Sequence, residues 1–393
     1  MHAMKSRCHI AMVVSFVLFL FLFSAAFLIL PDRAFSETEN RGLQSLPHAD
    51  AEHLLSGEYS ARINDYFADQ FPLRDGLVAV KARLELWTGK GENNGILMGR
   101  DGQLAKRLFT VARADGETVE ESDLFDPAHI AGAAEGISRA AKRANVPFSV
   151  LLTGRTLDVA ASAFSYPCAL SDALARELRQ SIDPTVTYLD MLPEYRARYE
   201  SGEYVYYRTD HHWTTLGAYY AYKEVMRSYG LEGEILPESA FTRTVATNRF
   251  LGTFAAASGF DATPDTLEIW YRGNEDAFAV TADGKELPGG FYSTSYLAGR
   301  DCYSAFLDGT HDVVTVQKRG EERPLLLLAK DSFANALAPF LAQHFDLVLL
   351  NLSSPRNDFT NLSAAAEQYN ADAVLVVYTL GNVINTDRMN RLQ

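Results

Sequence analysis

The longest unbroken apolar stretch lies near the start of the chain. From Ile10 to Leu30 only Ser15 and Ser24 are polar, and no residue is charged. As a helix this run is roughly 31 Å long, about the thickness of a bilayer's hydrocarbon core. Lys5 and Arg7 precede it, and Asp32, Arg33, Glu37 and Glu39 follow, so the positive-inside rule keeps the short N-terminus in the cytoplasm and exports the rest. A cleaved signal peptide is the alternative, but its apolar region spans only about 7–15 residues. Ala25-Ala26 offers small cleavage-site residues, yet the run continues past them. The expectation is a retained anchor over 1–31, a polar and aperiodic tether over 32–57, and a folded domain over 58–393.

Beyond the tether the pattern alternates between helical and strand periods. Ile63, Tyr66, Phe67, Phe71, Leu77, Val80, Leu84 and Trp87 follow helical spacing with a break near Pro72. Residues 95–104 place an apolar strand against an Arg-Asp-Gly turn, a hairpin signal. Helices are expected over 128–144 and 169–180, and strands over 146–152 and 186–189. A further helix opens near Asp210 and runs to about Tyr229, with Leu216, Tyr219, Tyr220 and Val225 on its buried side and Gly230 as its stop. Residues 231–322 change character, rich in Thr, Gly, Phe and Tyr, and predict an insertion of short antiparallel strands. Strands at 324–329, 346–350 and 373–378, with helices after Asn335 and near 363–369, restore the alternation. This order predicts an α/β fold, a doubly wound and mainly parallel sheet with helices on both faces.

Charge and cysteines narrow the classes. The formal net charge of −14 argues against non-specific nucleic-acid binding and against docking on anionic lipid. Of three cysteines, Cys8 precedes the apolar run, leaving Cys168 and Cys302 as a candidate disulfide in an oxidising compartment. Neither stands in a CxxC spacing, so no structural zinc site is expected.

The chemistry concentrates in two short blocks. Asp210-His211-His212-Trp213 places a carboxylate two residues before an imidazole, the supporting half of a serine or cysteine hydrolase triad; the plain alternatives are a metal pair or a packed helix start. No carboxylate-rich cluster accompanies the His-His pair, so no metal is expected. Far downstream, the strand ending at Ala329 empties into Lys330-Asp331-Ser332. Reactive groups of open parallel sheets sit at such carboxyl ends. Ser332 is the candidate nucleophile, its own backbone N–H a candidate oxyanion donor; a serine at this position is otherwise a helix N-cap. His211 and Trp213 are candidate substrate contacts, Trp213 as a sugar platform or else as a core residue. Tyr204, Tyr206 and Tyr207 extend that surface or pack inside. Arg356 either steers an anionic sugar or caps a loop.

Thr209-Asp-His-His-Trp-Thr214 with Lys330-Asp-Ser-Phe333 resembles the DHHW family, related to the periplasmic alginate O-acetylation proteins AlgX and AlgJ. Tyr66–Asp75, Asn94–Leu104, Phe250–Phe254 and Asp265–Trp270 are similar to stretches of that family, so the resemblance covers most of 58–385. It implies a circularly permuted SGNH hydrolase-like domain in which Asp210 orients, His212 acts as general base and Ser332 is acylated. It also implies an oxyanion asparagine after a late strand, for which Asn382 is best placed. Lys330 stands where the usual hydrolase block carries glycine.

The leading functional expectation is O-acetyl transfer to a cell-envelope or secreted polysaccharide, at the outer face of the cell membrane. No cofactor is expected. Acetyl-CoA is not expected outside the cytoplasm, so the resemblance implies an integral membrane acyltransferase as donor. An esterase using the same triad is the second reading. A non-catalytic envelope scaffold or glycan-binding protein is the third.

Overall fold

The computed structural model describes residues 2–36, 41–49, 56–107, 126–165, 171–354, 356 and 359–393. Parts of the expected tether (37–40 and 50–55) and Cys168 lie outside the described residues. Cys302 is buried with a free thiol.

Two compact units divide the chain, one of residues 1–90 with 259–261 and one of 91–258 with 262–393. The first holds α1 (His2–Ile29), α2 (Glu58–Asp69) and α3 (Arg74–Trp87). Within α1, His9–Ile29 is long and apolar enough to cross a membrane. The sequence places α2 and α3 with the downstream domain; by contacts they group with the N-terminal unit, and the sheet-bearing unit begins at Gly91.

The second unit opens with the expected hairpin, Ile96–Met98 antiparallel to Leu104–Lys106. Its turn holds Asp101 and Gly102 at φ 56° and 74°, the left-handed region that Asp and Gly tolerate best. Then follow α4 (Pro127–Ala144), β1 (Phe148–Thr153), α5 (Asp172–Ser181), β2 (Thr187–Asp190), α6 (Leu192–Glu200) and α7 (Thr215–Ser228). Asp126 caps α4 by accepting from Ala128 N at 2.9 Å, and Gly230 at φ 72° follows the end of α7. Further along come β3 (Thr242–Phe250), β4 (Asp265–Tyr271), β5 (Phe278–Ala282), β6 (Lys285–Glu286), β7 (Val313–Lys318), β8 (Leu325–Lys330), α8 (Ala334–Leu341), β9 (Asp346–Asn351), α9 (Leu362–Tyr369), β10 (Ala373–Thr379) and α10 (Leu380–Asn385), with short helices at Thr156–Val159 and Thr253–Ser258 between the main elements.

One eight-stranded sheet runs in the order β6-β5-β7-β9-β8-β10-β1-β2. The five strands from β9 to β2 are parallel, and β7, β5 and β6 add antiparallel to the β9 edge. Here the structure refines the sequence reading. Residues 231–322 do not form one separate block of strands: β3 and β4 pair as a hairpin of their own, whereas β5, β6 and β7 widen the main sheet.

Alternate residues of the central strands feed two cores. Leu326 and Leu328 face the core containing α7 and α8, while Leu327 and Ala329 face that of α4, α5 and α9. A strand covered on both faces has no polar side, which is why 325–329 reads as an uninterrupted apolar run.

Candidate active site

Local pairing shapes the Asp-His-His-Trp loop before any distant contact is made. Tyr206 bridges Trp213, Tyr207 N donates to His212 O at 3.2 Å, and Thr214 N donates to Val205 O at 2.9 Å. Thr214 caps α7, its hydroxyl accepting from Gly217 N at 3.2 Å. Asp265 of β4, buried, accepts from Thr209 N and Oγ1 at 2.8 and 2.7 Å, from Arg208 N at 3.1 Å, and from the Tyr204 hydroxyl. The hairpin adds support: Leu104 N donates to Arg208 O and Gln103 Nε2 to Tyr207 O.

Within this loop Asp210 and His212 are both buried. Asp210 Oδ1 lies 2.6 Å from His212 Nδ1 and accepts from His212 N at 3.0 Å. Thr253 gives the other oxygen two hydrogen bonds, from its backbone N at 2.8 Å and its hydroxyl at 3.1 Å. Burial opposes the Asp210 charge, but the neighbouring imidazoles and these hydrogen bonds outweigh it and hold the carboxyl well below the usual range.

Ser332 arrives from β8, 120 residues later. Its Oγ lies 2.7 Å from His212 Nε2, so one imidazole touches Asp210 on one side and Ser332 on the other. Tyr303 lies flat against the ring, with centroids 3.6 Å apart and planes 8° apart, and Phe333 flanks it at 4.9 Å. The turn carrying Ser332 is pinned by Asp331, buried, which accepts from Phe333 N at 3.1 Å, Thr379 N at 2.8 Å and Asn382 Nδ2 at 2.9 Å. Burial raises the pKa of Asp331 while these three donors pull it back. Lys330, where glycine was expected, is buried, and its Nζ donates to Asn335 Oδ1 at 2.6 Å. Burial pushes its pKa down to about 8.

A cavity of about 450 Å³ is lined by the chain neighbours of His212 and Ser332, His211 and Phe333, together with Arg155, Thr253, Phe254 and Asn382 among others. His211 faces it with Nδ1 2.8 Å from Thr253 Oγ1; burial, then the adjacent His212 ring, pushes its pKa down to about 4. Asn382 spends one side-chain N–H on Asp331 and keeps the second.

Two candidate substrate contacts stand away from the cavity. Trp213 is 0 % exposed, its indole N–H donating to Phe333 O at 3.1 Å and its ring meeting Phe333 edge-on. It packs α7 onto the Ser332 turn and presents no face to a sugar; Tyr206 and Tyr207 are buried as well. Arg356 does not line the cavity; its guanidinium pairs with Asp312 at 3.2 Å. Asp210, His211 and His212 also hold possible ligand atoms within 4.8 Å of one another, but an ion there competes with both contacts of His212.

Thr253, Tyr303 and Asp331 escaped the sequence reading. Asp331 had a signal, standing next to Ser332, and Thr253 lies in the family-like stretch Phe250–Phe254; Tyr303 comes from a segment with no local mark of chemistry.

Residues 191–351 match the family model described as DHHW protein. Over this stretch the chain is similar to the DHHW family. No curated protein matches the chain. Among solved structures, Bacillus cereus PatB1 with a sulfonyl adduct is similar at 21% identity and a TM-score of 0.62, over 76% of this chain and 98% of that one. A DHHW family protein from Eubacterium siraeum is similar at 17% identity and a TM-score of 0.59, over 76% of this chain and 95% of its own. At these identities the likeness is one of fold, an α/β domain built on a large mixed sheet.

Proposed function

We propose that the protein is a membrane-anchored, extracytoplasmic O-acyltransferase that acetylates hydroxyls of a cell-envelope or secreted polysaccharide through an acyl-serine. One observation carries the reading: His212 Nε2 stands 2.7 Å from Ser332 Oγ while Asp210 holds Nδ1 at 2.6 Å. Asp210 fixes the tautomer with its proton on Nδ1, which leaves Nε2 to accept the serine proton. Ser332 Oγ attacks the acetyl carbonyl as His212 takes that proton. Collapse of the tetrahedral intermediate expels the donor's leaving group, which leaves with the proton from His212. A sugar hydroxyl then repeats the sequence on the acyl-serine, giving the acetyl ester and restoring Ser332. The Ser332 N–H and the spare Asn382 amide hydrogen are the candidate oxyanion donors. The order Asp-His before Ser is that of a circularly permuted SGNH hydrolase, as the family resemblance implies.

Export through His9–Ile29 supports an acetyl donor supplied from the membrane, which calls for an integral membrane acyltransferase partner. An esterase shares every step but the last, with water in place of the sugar. A wide gap between Ser332 and His212 would favour the scaffold reading; their 2.7 Å contact favours an enzyme.

Incubating the full chain with an activated acetyl ester is the test. Ser332 should carry the acetyl group by peptide mass mapping, and Ser332→Ala should not label. Equal labelling of both overturns the assignment. Acetyl-sugar formation against acetate release on candidate glycans separates transferase from esterase.

A further inference from the structure

The N-terminal unit carries a surface that this chemistry leaves unused. On one side of α3, Ala82 is buried and Val78 faces Gly259. On the other, Leu73, Leu77, Val80, Leu84 and Trp87 are all exposed, Leu73 by 75% and Trp87 by 84%. Leu73 precedes α3 at φ 60°; at about 100° per residue the other four fall within roughly 80° of arc, a continuous apolar stripe. Lys81 and Arg83 flank its two edges, paired with Glu85 at 3.1 Å and Asp261 at 2.8 Å.

The stripe is continuous with the candidate span. Phe71 stacks on Phe23 with centroids 5.4 Å apart, and Phe67 stacks on Phe27 at 5.3 Å. Tyr66 meets Phe27 edge-on while its hydroxyl donates to Asp32 at 3.0 Å, and Arg33 pairs with Asp75 at 2.8 Å. These contacts fix depth, because Phe23 and Phe27 belong to the apolar run His9–Ile29. Phe23 lies six residues from Ile29, about 9 Å of helix. A ring stacked on it sits at the depth, roughly 5–10 Å, to which interfacial helices sink their apolar faces.

We propose that α2 and α3 lie in the outer interface of the bilayer, with Phe67, Phe71, Leu73 and the stripe from Leu77 to Trp87 covered by lipid. Trp87 at the end of the stripe sits where amphipathic rings collect at the headgroup level. Lys81 and Arg83 carry their stems along the apolar surface and keep their charges in the wet layer. The inference rests on α1 being a retained span, since cleavage after Ala25-Ala26 would remove Phe23 from under Phe71.

The experiment uses the full chain in phosphatidylcholine vesicles, with acyl chains plain or brominated near the headgroup. Trp213 and Trp270 are buried, so the difference between the parent and Trp87→Phe isolates the emission of Trp87. Brominated lipid should lower that component about twofold or more while aqueous iodide leaves it unchanged, as expected for a ring at the acyl boundary. Quenching by iodide alone overturns the inference. Shielding from both quenchers overturns it too, because a protein surface then covers the stripe. An alkaline carbonate wash keeps the premises apart: a chain that washes off loses the anchor and this inference together, whereas one that stays with Trp87 unquenched loses only the inference. Labelling of Ser332 is independent of all these outcomes.

Discussion

The phenol ring of Tyr303 lies flat on the imidazole of His212, 3.6 Å between centroids and 8° between planes. Tyr303 is buried, and its hydroxyl donates to Phe333 O at 3.3 Å. A flat aromatic wall confines the imidazole to the plane that joins Asp210 to Ser332.

Tyr303→Phe keeps the wall and loses one long hydrogen bond. Its rate of Ser332 acetylation should stay near the parent's, with about 1 kcal/mol of stability lost. Tyr303→Ala removes the wall and leaves a cavity, so acetylation should slow and stability fall by roughly 3–5 kcal/mol. Denaturation and labelling kinetics on the two variants check this; equal labelling by both would show that the stacked ring is packing alone.

Gly252 gives a sharper probe of Asp210. A Cβ there would meet Asp210 Cβ at 2.3 Å and Oδ2 at 2.4 Å. Gly252→Ala should therefore displace the carboxylate and slow acylation toward the Asp210→Asn level, roughly 10³- to 10⁴-fold below the parent by analogy with triad enzymes. Gly233→Ala, where a Cβ meets nothing within 4 Å, is the control and should label normally.

Thr253 holds Asp210 Oδ2 twice, through backbone and hydroxyl. Thr253→Val removes only the second. The expected loss in labelling rate is about tenfold, the worth of one hydrogen bond to a charged group. A variant indistinguishable from the parent would mean that the backbone N–H alone suffices.

Lys330 makes stability depend on pH. Its folded pKa of about 8 lies below the ordinary lysine value of about 10.4. Between these values the unfolded chain holds more protons than the folded one, so stability rises with pH across that window and is level below it. Denaturation at pH 7.5 and pH 9.5 should show the parent gaining on Lys330→Met, by at most about 3 kcal/mol over the whole window. A constant difference between the two proteins would place the lysine proton elsewhere.

Much of this arrangement is local and so was legible along the chain. The apolar run of α1, the helical period of α4 and α7, and the Arg-Asp-Gly hairpin follow from side-chain spacing and backbone preference alone. Asp210 and His212 stand two residues apart, so their pairing needs only one tight loop. What spacing cannot carry is partnership. Alternation tells which face a strand buries but not which strand lies beside it, so β5, β6 and β7 read as part of an insertion and joined the main sheet instead. Helical spacing likewise marked Leu77, Val80, Leu84 and Trp87 as one stripe without saying what covers it. Trp213 carried a polar N–H and a sugar-sized face, and only the packing of α7 against Phe333 sealed it inside. The meeting of His212 with Ser332, and the support from Thr253 and Tyr303, were decided by tertiary structure, because long loop closures leave no local trace. Sequence chose the chemical groups and the elements that bear them; the fold chose which of them touch.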